Sequence, residues 1–238
     1  MKLEVFDDVD SVAREAAAII AADARAAIAA RGRYALAVSG GHTPWIMLRA
    51  LANQDLPWAG VHLFQVDERV APEGHTDRNL THLGESFLQY VHLRPEQVHA
   101  MPVGSHDLDS AAAQYALALQ EVAGTPPVLD LVHLGLGPDG HTASLVPGDP
   151  VLNITDADVG VTGLYQGRRR MTLTYPVLNR ARRVLWVVTG GEKVEMLRRL
   201  IEGDRSIPAG RVRPEQALLM ADRAAAGAST AEHNLARP

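Results

Sequence analysis

Residues 134–148 read Leu-Gly-Leu-Gly-Pro-Asp-Gly-His-Thr-Ala-Ser-Leu-Val-Pro-Gly. Gly135, Gly137 and Gly140 have the Gly-x-Gly-x-x-Gly spacing of a dinucleotide loop, and His141 follows the last glycine directly. Two chemistries compete for this stretch. In the first, the glycines admit a pyrophosphate, and Asp156 or Asp158 lies near the distance expected of a ribose-binding acid. That reading needs a continuing helix whose N-terminus faces the pyrophosphate, and Pro147 stops a helix soon after it begins. In the second, the glycines let a substrate approach and His141 moves a proton. Imidazole suits that work because its unperturbed pKa is about 6.5. The chain has ten histidines, so most are incidental. His62, His82, His92, His99, His106 and His233 have no special context, and His42 and His75, near candidate loops, rank below His141. No His-Glu-x-x-His or similar spacing occurs, so no metal site is expected.

Further stretches carry chemistry. Ser39-Gly40-Gly41-His42-Thr43-Pro44 breaks an apolar strand. Paired glycines allow close backbone approach, Thr43 can cap a helix with Pro44 at its first position, and the free amides there suit a phosphate. It lacks the Gly-Lys-Ser/Thr ending of an ATP-binding P-loop, and a bare strand–helix turn is the competing reading. Asp67-Glu68-Arg69 follows another apolar strand. Alone it is a solvated loop start; beside two glycine-rich loops it becomes a site candidate, with Arg69 for an anion or hydroxyl and Asp67 to orient a base or bind a sugar hydroxyl. Arg168-Arg169-Arg170 with Arg180, Arg182 and Arg183 is a basic concentration, either a solvated face or the source of one or two phosphate contacts. Lys193, two residues after Gly191 at a strand–helix junction, is a better single phosphate ligand.

These residues need a scaffold. The pattern predicts strands at 3–6, 34–38, 61–66, 98–101, 129–134, 158–164, 171–175, 184–188 and 218–220. Helices are predicted from Asp8 or Asp10 to near Arg31-Gly32, over 44–53, over 79–90, from Asp107 or Asp109 to about Val122, and over 192–201. The Ala/Gly/Ser-rich tail from Ala224 is expected to fray. Alternation of strands and helices implies an α/β fold: a mostly parallel, Rossmann-like sheet with helices on both faces, plus a smaller C-terminal strand/helix portion, in one domain over 1–238. Ligands of such sheets sit beyond the carboxyl ends of the strands, where 39–44, 67–69 and 135–144 all fall and where Lys193 follows a fourth strand.

Composition narrows the class. The 238 residues are 47% apolar and 21% charged, which suits a sizeable core. The net charge of −5 argues against a nucleic-acid or membrane-surface binder, and neither arginine cluster, 168–170 or 180–183, contains an aromatic residue. Without cysteine there is no disulfide, thiolate zinc site or thiol nucleophile. The N-terminus MKLEVFDDVD does not read as a signal peptide, and Asp23 and Arg25 interrupt the apolar stretch 16–30, so a cytoplasmic enzyme is expected.

Five motifs in order then carry a resemblance over nearly the whole chain: Ser39-Gly-Gly-His-Thr-Pro44, Val66-Asp-Glu-Arg69, Gly135-Leu-Gly-Pro-Asp-Gly-His-Thr-Ala-Ser144, Arg170-Met-Thr-Leu-Thr174 and Gly190-Gly-Glu-Lys193. Together they resemble the 6-phosphogluconolactonases of the glucosamine/galactosamine-6-phosphate isomerase superfamily. The resemblance implies hydrolysis of 6-phospho-D-glucono-1,5-lactone to 6-phosphogluconate, the second step of the oxidative pentose phosphate pathway. It implies no metal or organic cofactor, a phosphosugar lactone as the small-molecule partner, and a monomer or small homo-oligomer. The phosphate then docks at Ser39, Gly40, Gly41 and Thr43 with Lys193 and either Arg170 or Arg168. His141 acts as base and then acid, oriented by Asp139 or Asp67, and loop amides or Arg69 stabilise the oxyanion. The related deaminases usually carry an aromatic residue where Arg69 stands and Ile-Ala-Phe-Asn at 142–145, so Arg69 and Thr142–Ser144 favour the lactonase. Val146 departs from the Phe often found there, a packing change. Glucosamine-6-phosphate deamination, a non-catalytic sugar-phosphate binder and a nicotinamide-dependent dehydrogenase remain the alternatives, in that order.

Overall fold

The computed structural model describes residues 1–227. In chain order the elements are β1 (Lys2–Phe6), α1 (Val9–Arg31), β2 (Tyr34–Val38), α2 (His42–Ala52), β3 (Val61–Gln65), β4 (Asp67–Arg69), α3 (Asn79–Ser86) and β5 (Val98–His99). Then follow α4 (Leu108–Ala123), β6 (Leu131–Leu134), β7 (Val159–Val161), β8 (Arg170–Leu173), α5 (Tyr175–Leu178), β9 (Val184–Val188), α6 (Val194–Ile201) and β10 (Ala217–Asp222). Seven strands form one sheet in the order β1-β10-β9-β6-β2-β3-β5, and every pairing in it is parallel. A parallel sheet covered on both faces needs strands that are apolar throughout rather than alternating. Accordingly β2, β6, β9 and β10 are buried at every position. Within β2, Tyr34, Leu36 and Val38 face the core beneath α1 and α2, while Ala35 and Ala37 face the core that holds α4 and α6 residues.

Helix α1 runs 23 residues because both ends are closed. Asp8 accepts from the Ser11 amide at 2.7 Å, and Gly32, at φ +73°, returns its N–H to the Ile28 carbonyl at 2.8 Å. Alanines at 13, 16, 17, 21, 24 and 27, with Val12 and Ile20, form its buried stripe.

The structure corrects several expected boundaries. Residues 67–69 are not a loop start: the chain leaves the large sheet after Gln65, and β4 enters a small antiparallel sheet of order β4-β8-β7. Val66 is the corner. Its N–H still reaches the Val38 carbonyl of the large sheet at 2.9 Å, while its own carbonyl accepts from Leu173 at 2.8 Å. The smaller portion is therefore this mid-chain sheet; the C-terminal β9 and β10 belong to the large one. Helix α2 begins at His42 with Gly41 as its N-cap, not at Pro44 with a Thr43 cap. The helix expected over 79–90 stops at Ser86, because buried Phe87 leaves helical geometry (φ −138°, ψ −58°) before a 3₁₀ turn over Leu88–Tyr90. The tail does not fray at once: Ala225 is buried, and its N–H donates to Asp222 Oδ1 at 2.8 Å. The remainder of the expected fraying segment, and His233, lie outside the described residues. No helix among the described residues is long and apolar enough to cross a membrane.

Candidate active site

A cleft of about 240 Å³ opens at the carboxyl ends of β2, β6 and β9, where the sheet rule places a ligand. Ser39, Gly40 and Gly41 form one wall, the loop after β6 a second, and Asp67, Arg69 and Arg170 from the small sheet a third. Lys193 reaches in from the turn after β9. Five separate sequence stretches thus meet in one cavity.

His141 is held by its own loop. The Gly137 N–H donates to the His141 carbonyl at 2.8 Å, and Gly140 takes φ +81°. No continuing helix follows, which removes the frame a dinucleotide needs. The His141 ring lies against Gly137 so closely that a Cβ there would sit 2.1 Å from Nδ1. Gly137→Ala is therefore expected to displace the imidazole and lower kcat by about 10²-fold, the cost of an ångström-scale misplacement, while the fold survives. Circular dichroism beside steady-state kinetics checks this, and an alanine variant with wild-type kcat contradicts it.

The carboxylate that touches the ring is Asp139. Its Oδ1 accepts from His141 Nδ1 at 2.5 Å and from the His141 N–H at 3.1 Å. A carboxylate only accepts, so Nδ1 carries a proton, and in the neutral ring Nε2 keeps its lone pair. Burial pushes the Asp139 carboxyl up, but the His141 ring, the bonds from it and the Tyr165 hydroxyl outweigh burial and hold it below the usual carboxylate range. Asp67 is occupied elsewhere: its Oδ2 accepts from Ser144 Oγ at 2.6 Å and its Oδ1 from Asn79 Nδ2 at 3.3 Å.

The cationic wall has an unusual register. Arg69 on β4 stands directly opposite Arg170 on β8. Like charges across an antiparallel pair repel, so an anion between them relieves a standing cost. Arg170 is 4% exposed, and its Nε and that of Arg69 are buried without partners among the described residues. Burial and the Arg69 charge both push the Arg170 pKa down. Arg69 Nη1 is fixed by Asn79 Oδ1 at 2.6 Å and the Asp77 carbonyl at 3.2 Å. Arg168 turns the other way and pairs with Asp77 at 2.8 Å, so of the two arginines left open by sequence only Arg170 lines the cleft. Thr43 is also committed outside it, bonded through its hydroxyl to Thr189 at 2.6 Å.

Three participants escaped the sequence reading. Asn79 joins the walls by reaching Asp67 and Arg69, and it packs so tightly on Gly40 that a Cβ there would lie 2.0 Å from Asn79 Oδ1. His133 lies fully buried on β6, where its Nδ1 accepts from the Ser39 amide at 3.3 Å and its carbonyl from Ser39 Oγ at 2.9 Å. Burial pulls its pKa down to about 3, so it is a neutral support for the 39–41 loop. Tyr165, the third, donates to Asp139 Oδ2 at 2.9 Å. A histidine inside an apolar strand, an asparagine at a helix start and a tyrosine in a turn carry no motif. Among the described residues no three His, Asp or Glu side chains cluster as metal ligands.

Residues 7–221 match the family model described as glucosamine-6-phosphate isomerases/6-phosphogluconolactonase. The chain belongs to that family. Within it, the 6-phosphogluconolactonase of Synechocystis sp. is 38% identical over 188 residues, covering 76% of this chain and 78% of that protein. The 6-phosphogluconolactonase of Mycobacterium tuberculosis is 37% identical over 238 residues, covering 94% and 96%. Among solved structures, 6-phosphogluconolactonase from Thermotoga maritima superposes with a TM-score of 0.81 at 26% identity, over 93% of this chain and 98% of that one. A monomeric glucosamine-6-phosphate deaminase superposes equally well, with a TM-score of 0.84 at 18% identity over 96% and 100%. The family fold therefore hosts both activities, and the choice between them rests on the cleft.

Proposed function

We propose that this chain hydrolyses 6-phospho-D-glucono-1,5-lactone to 6-phosphogluconate. The observation that carries the reading is the Asp139–His141 pair at 2.5 Å, with Nε2 left free on a cleft faced by Arg69, Arg170 and Lys193. Proton transfer and anion binding are both provided for, by different walls of the cleft. The Thr142–Ser144 stretch that separates the sequence from the deaminases has a role here too, because Ser144 ties down Asp67.

The substrate's phosphate docks on the Ser39–Gly41 loop, where the Gly40 and Gly41 amides and the first turn of α2 offer donors while the Ser39 amide stays with His133, and on Lys193 and Arg170. Anchoring this inert end positions the ester carbonyl, and positioning supplies several kcal/mol of barrier reduction. His141 Nε2 removes a proton from water as the water oxygen bonds to C1. The carbonyl electrons move onto oxygen, where Arg69 or those amides of the 135–140 loop not already bonded within it stabilise them. As the tetrahedral species collapses, the bond from C1 to the ring oxygen breaks and the imidazolium returns its proton to that oxygen. Asp139 holds the ring in the tautomer this sequence of steps needs. The product is an open-chain acid that ionises to the carboxylate, and no metal or organic cofactor enters.

The test is a coupled assay on freshly generated lactone, with the spontaneous hydrolysis of the substrate subtracted, run beside ammonia release from glucosamine 6-phosphate. Enzyme-dependent lactone turnover without ammonia supports the proposal; ammonia release without lactone turnover overturns it. Arg170→Ala is expected to raise KM by about 10–100-fold, the worth of a charged hydrogen bond. Arg168→Ala is expected to leave KM near wild type, because that side chain serves Asp77.

A further inference from the structure

Tyr165 belongs to a two-residue hairpin turn. Its N–H donates to the Arg168 carbonyl at 2.9 Å, and the Arg168 N–H returns to the Tyr165 carbonyl at 3.2 Å. Between them Gln166 and Gly167 both take positive φ, +51° and +78°. That geometry matches the twist of the flanking strands and fixes the register of the pair. The direction of the Tyr165 side chain is thus set by backbone.

From this turn the side chain touches both halves of the cleft. Its hydroxyl donates to Asp139 Oδ2 at 2.9 Å, while Asp139 Oδ1 holds His141 Nδ1 at 2.5 Å. Its ring meets the His141 ring edge to face, with centroids 5.6 Å apart. On the other side the Arg170 guanidinium carbon lies 4.8 Å from the Tyr165 ring centroid, and Arg170 Nη2 donates to Gln166 Oε1 at 3.1 Å. We propose that Tyr165 is a positioning residue whose hydroxyl clamps the second oxygen of Asp139 while its ring carries Arg170, so that one side chain aligns the base with an anion-binding arm. This rests on the reading of His141 as the base.

Two consequences follow from the chemistry. A carboxylate bonded through both oxygens cannot swing away from the imidazole, whereas one bonded on a single side can. A hydroxyl on Oδ2 also draws charge from the carboxylate, and so weakens its hold on an imidazolium. Burial, followed by the bond to Asp139 and its charge, pushes the Tyr165 pKa up, so the hydroxyl stays a donor through the neutral range. The charged and titratable groups around His141 are Asp139 and Tyr165 in contact, and Asp67, Arg69, Arg170 and Lys193 across the cleft. Of these, Tyr165→Phe releases only the hydroxyl.

Tyr165→Phe is expected to lower kcat about three- to tenfold with KM unchanged, a modest misplacement of the base. With the full carboxylate charge turned on the ring, protonated His141 is favoured. The acid limb of kcat/KM against pH is therefore expected to move up by about half a unit. Tyr165→Ala should add a several-fold rise in KM, because Arg170 loses its ring. The position of the limb does not depend on the fraction of folded enzyme, so it separates positioning from mere support of the fold. A Phe variant with wild-type kcat and an unmoved acid limb overturns the proposal, whatever its thermal stability. His141→Ala run in parallel keeps the two readings apart. If it retains turnover, the assignment of the base fails; if it is inactive while Tyr165→Phe matches wild type, only the role of Tyr165 fails.

Discussion

His141→Ala is expected to lower kcat by about 10²–10⁴-fold, the usual cost of removing a general acid/base, with KM changed little. The asymmetry follows from the layout of the cleft. The groups that can grip a phosphate, namely Lys193, Arg170 and the Ser39–Gly41 loop, touch neither His141 nor Asp139 through any hydrogen bond, so the anchor survives the loss of the imidazole. What disappears is the proton acceptor for water and the proton donor for the ring oxygen, both needed only as the transition state forms. A loss confined to kcat marks an interaction made in the transition state and not in the ground state. Because the lactone opens by itself in water, the variant's rate must be read against the enzyme-free rate at the same pH.

The largest expected effect on stability belongs to Glu68. Its sequence neighbours line the cleft, yet Glu68 is 0% exposed and serves the scaffold. Oε1 accepts from the amides of Arg69 and Asn79, at 2.8 and 2.7 Å. Oε2 accepts from Gln65 Nε2 and the Leu80 amide, each at 2.8 Å, and lies 3.3 Å from Arg78 Nε. One carboxylate thus binds the corner between the two sheets to the start of α3, and it satisfies donors that are buried or half-buried. Glu68→Ala leaves those donors unpaired and takes the counter-charge from the buried Arg78 guanidinium, which keeps only its bond to the Ala71 carbonyl, a change worth about 3–5 kcal/mol. Urea unfolding should show a lower midpoint with an unchanged slope. An alanine variant with the wild-type midpoint would show that these bonds contribute nothing net.

Much of this architecture is legible in the sequence, and the reasons for the exceptions are physical. Runs such as Tyr34–Val38 and Val184–Val188 read as strands buried on both faces, and a cap at Asp8 or Asp10 with a stop near Gly32 delimits α1 without tertiary information, the structure choosing Asp8. Cleft residues that depend on a local turn, such as His141 after its glycines, are legible for the same reason. Residues 67–69 are not, because whether a charged triplet solvates a loop or enters a second sheet depends on β8, a hundred residues away. Arg168 and Arg170 differ by two positions and are chemically identical. Only the end of the hairpin turn, which sends Arg168 to Asp77 and Arg170 into the cleft, separates them. Thr43 fits every local rule for a helix cap, yet Thr189 on the neighbouring chain segment claims its hydroxyl. His133 and Asn79 act through partners distant in sequence, Ser39, Asp67 and Arg69 among them, which no spacing rule reaches.

The most direct measurement is a structure of the protein with 6-phosphogluconate bound. The account predicts the phosphate at the Ser39–Gly41 loop within hydrogen-bonding reach of Lys193 and Arg170, and the C1 carboxylate about 3–3.5 Å from His141 Nε2, the separation of a near-attack pair. A complex in which the sugar binds with C1 remote from His141 would contradict it.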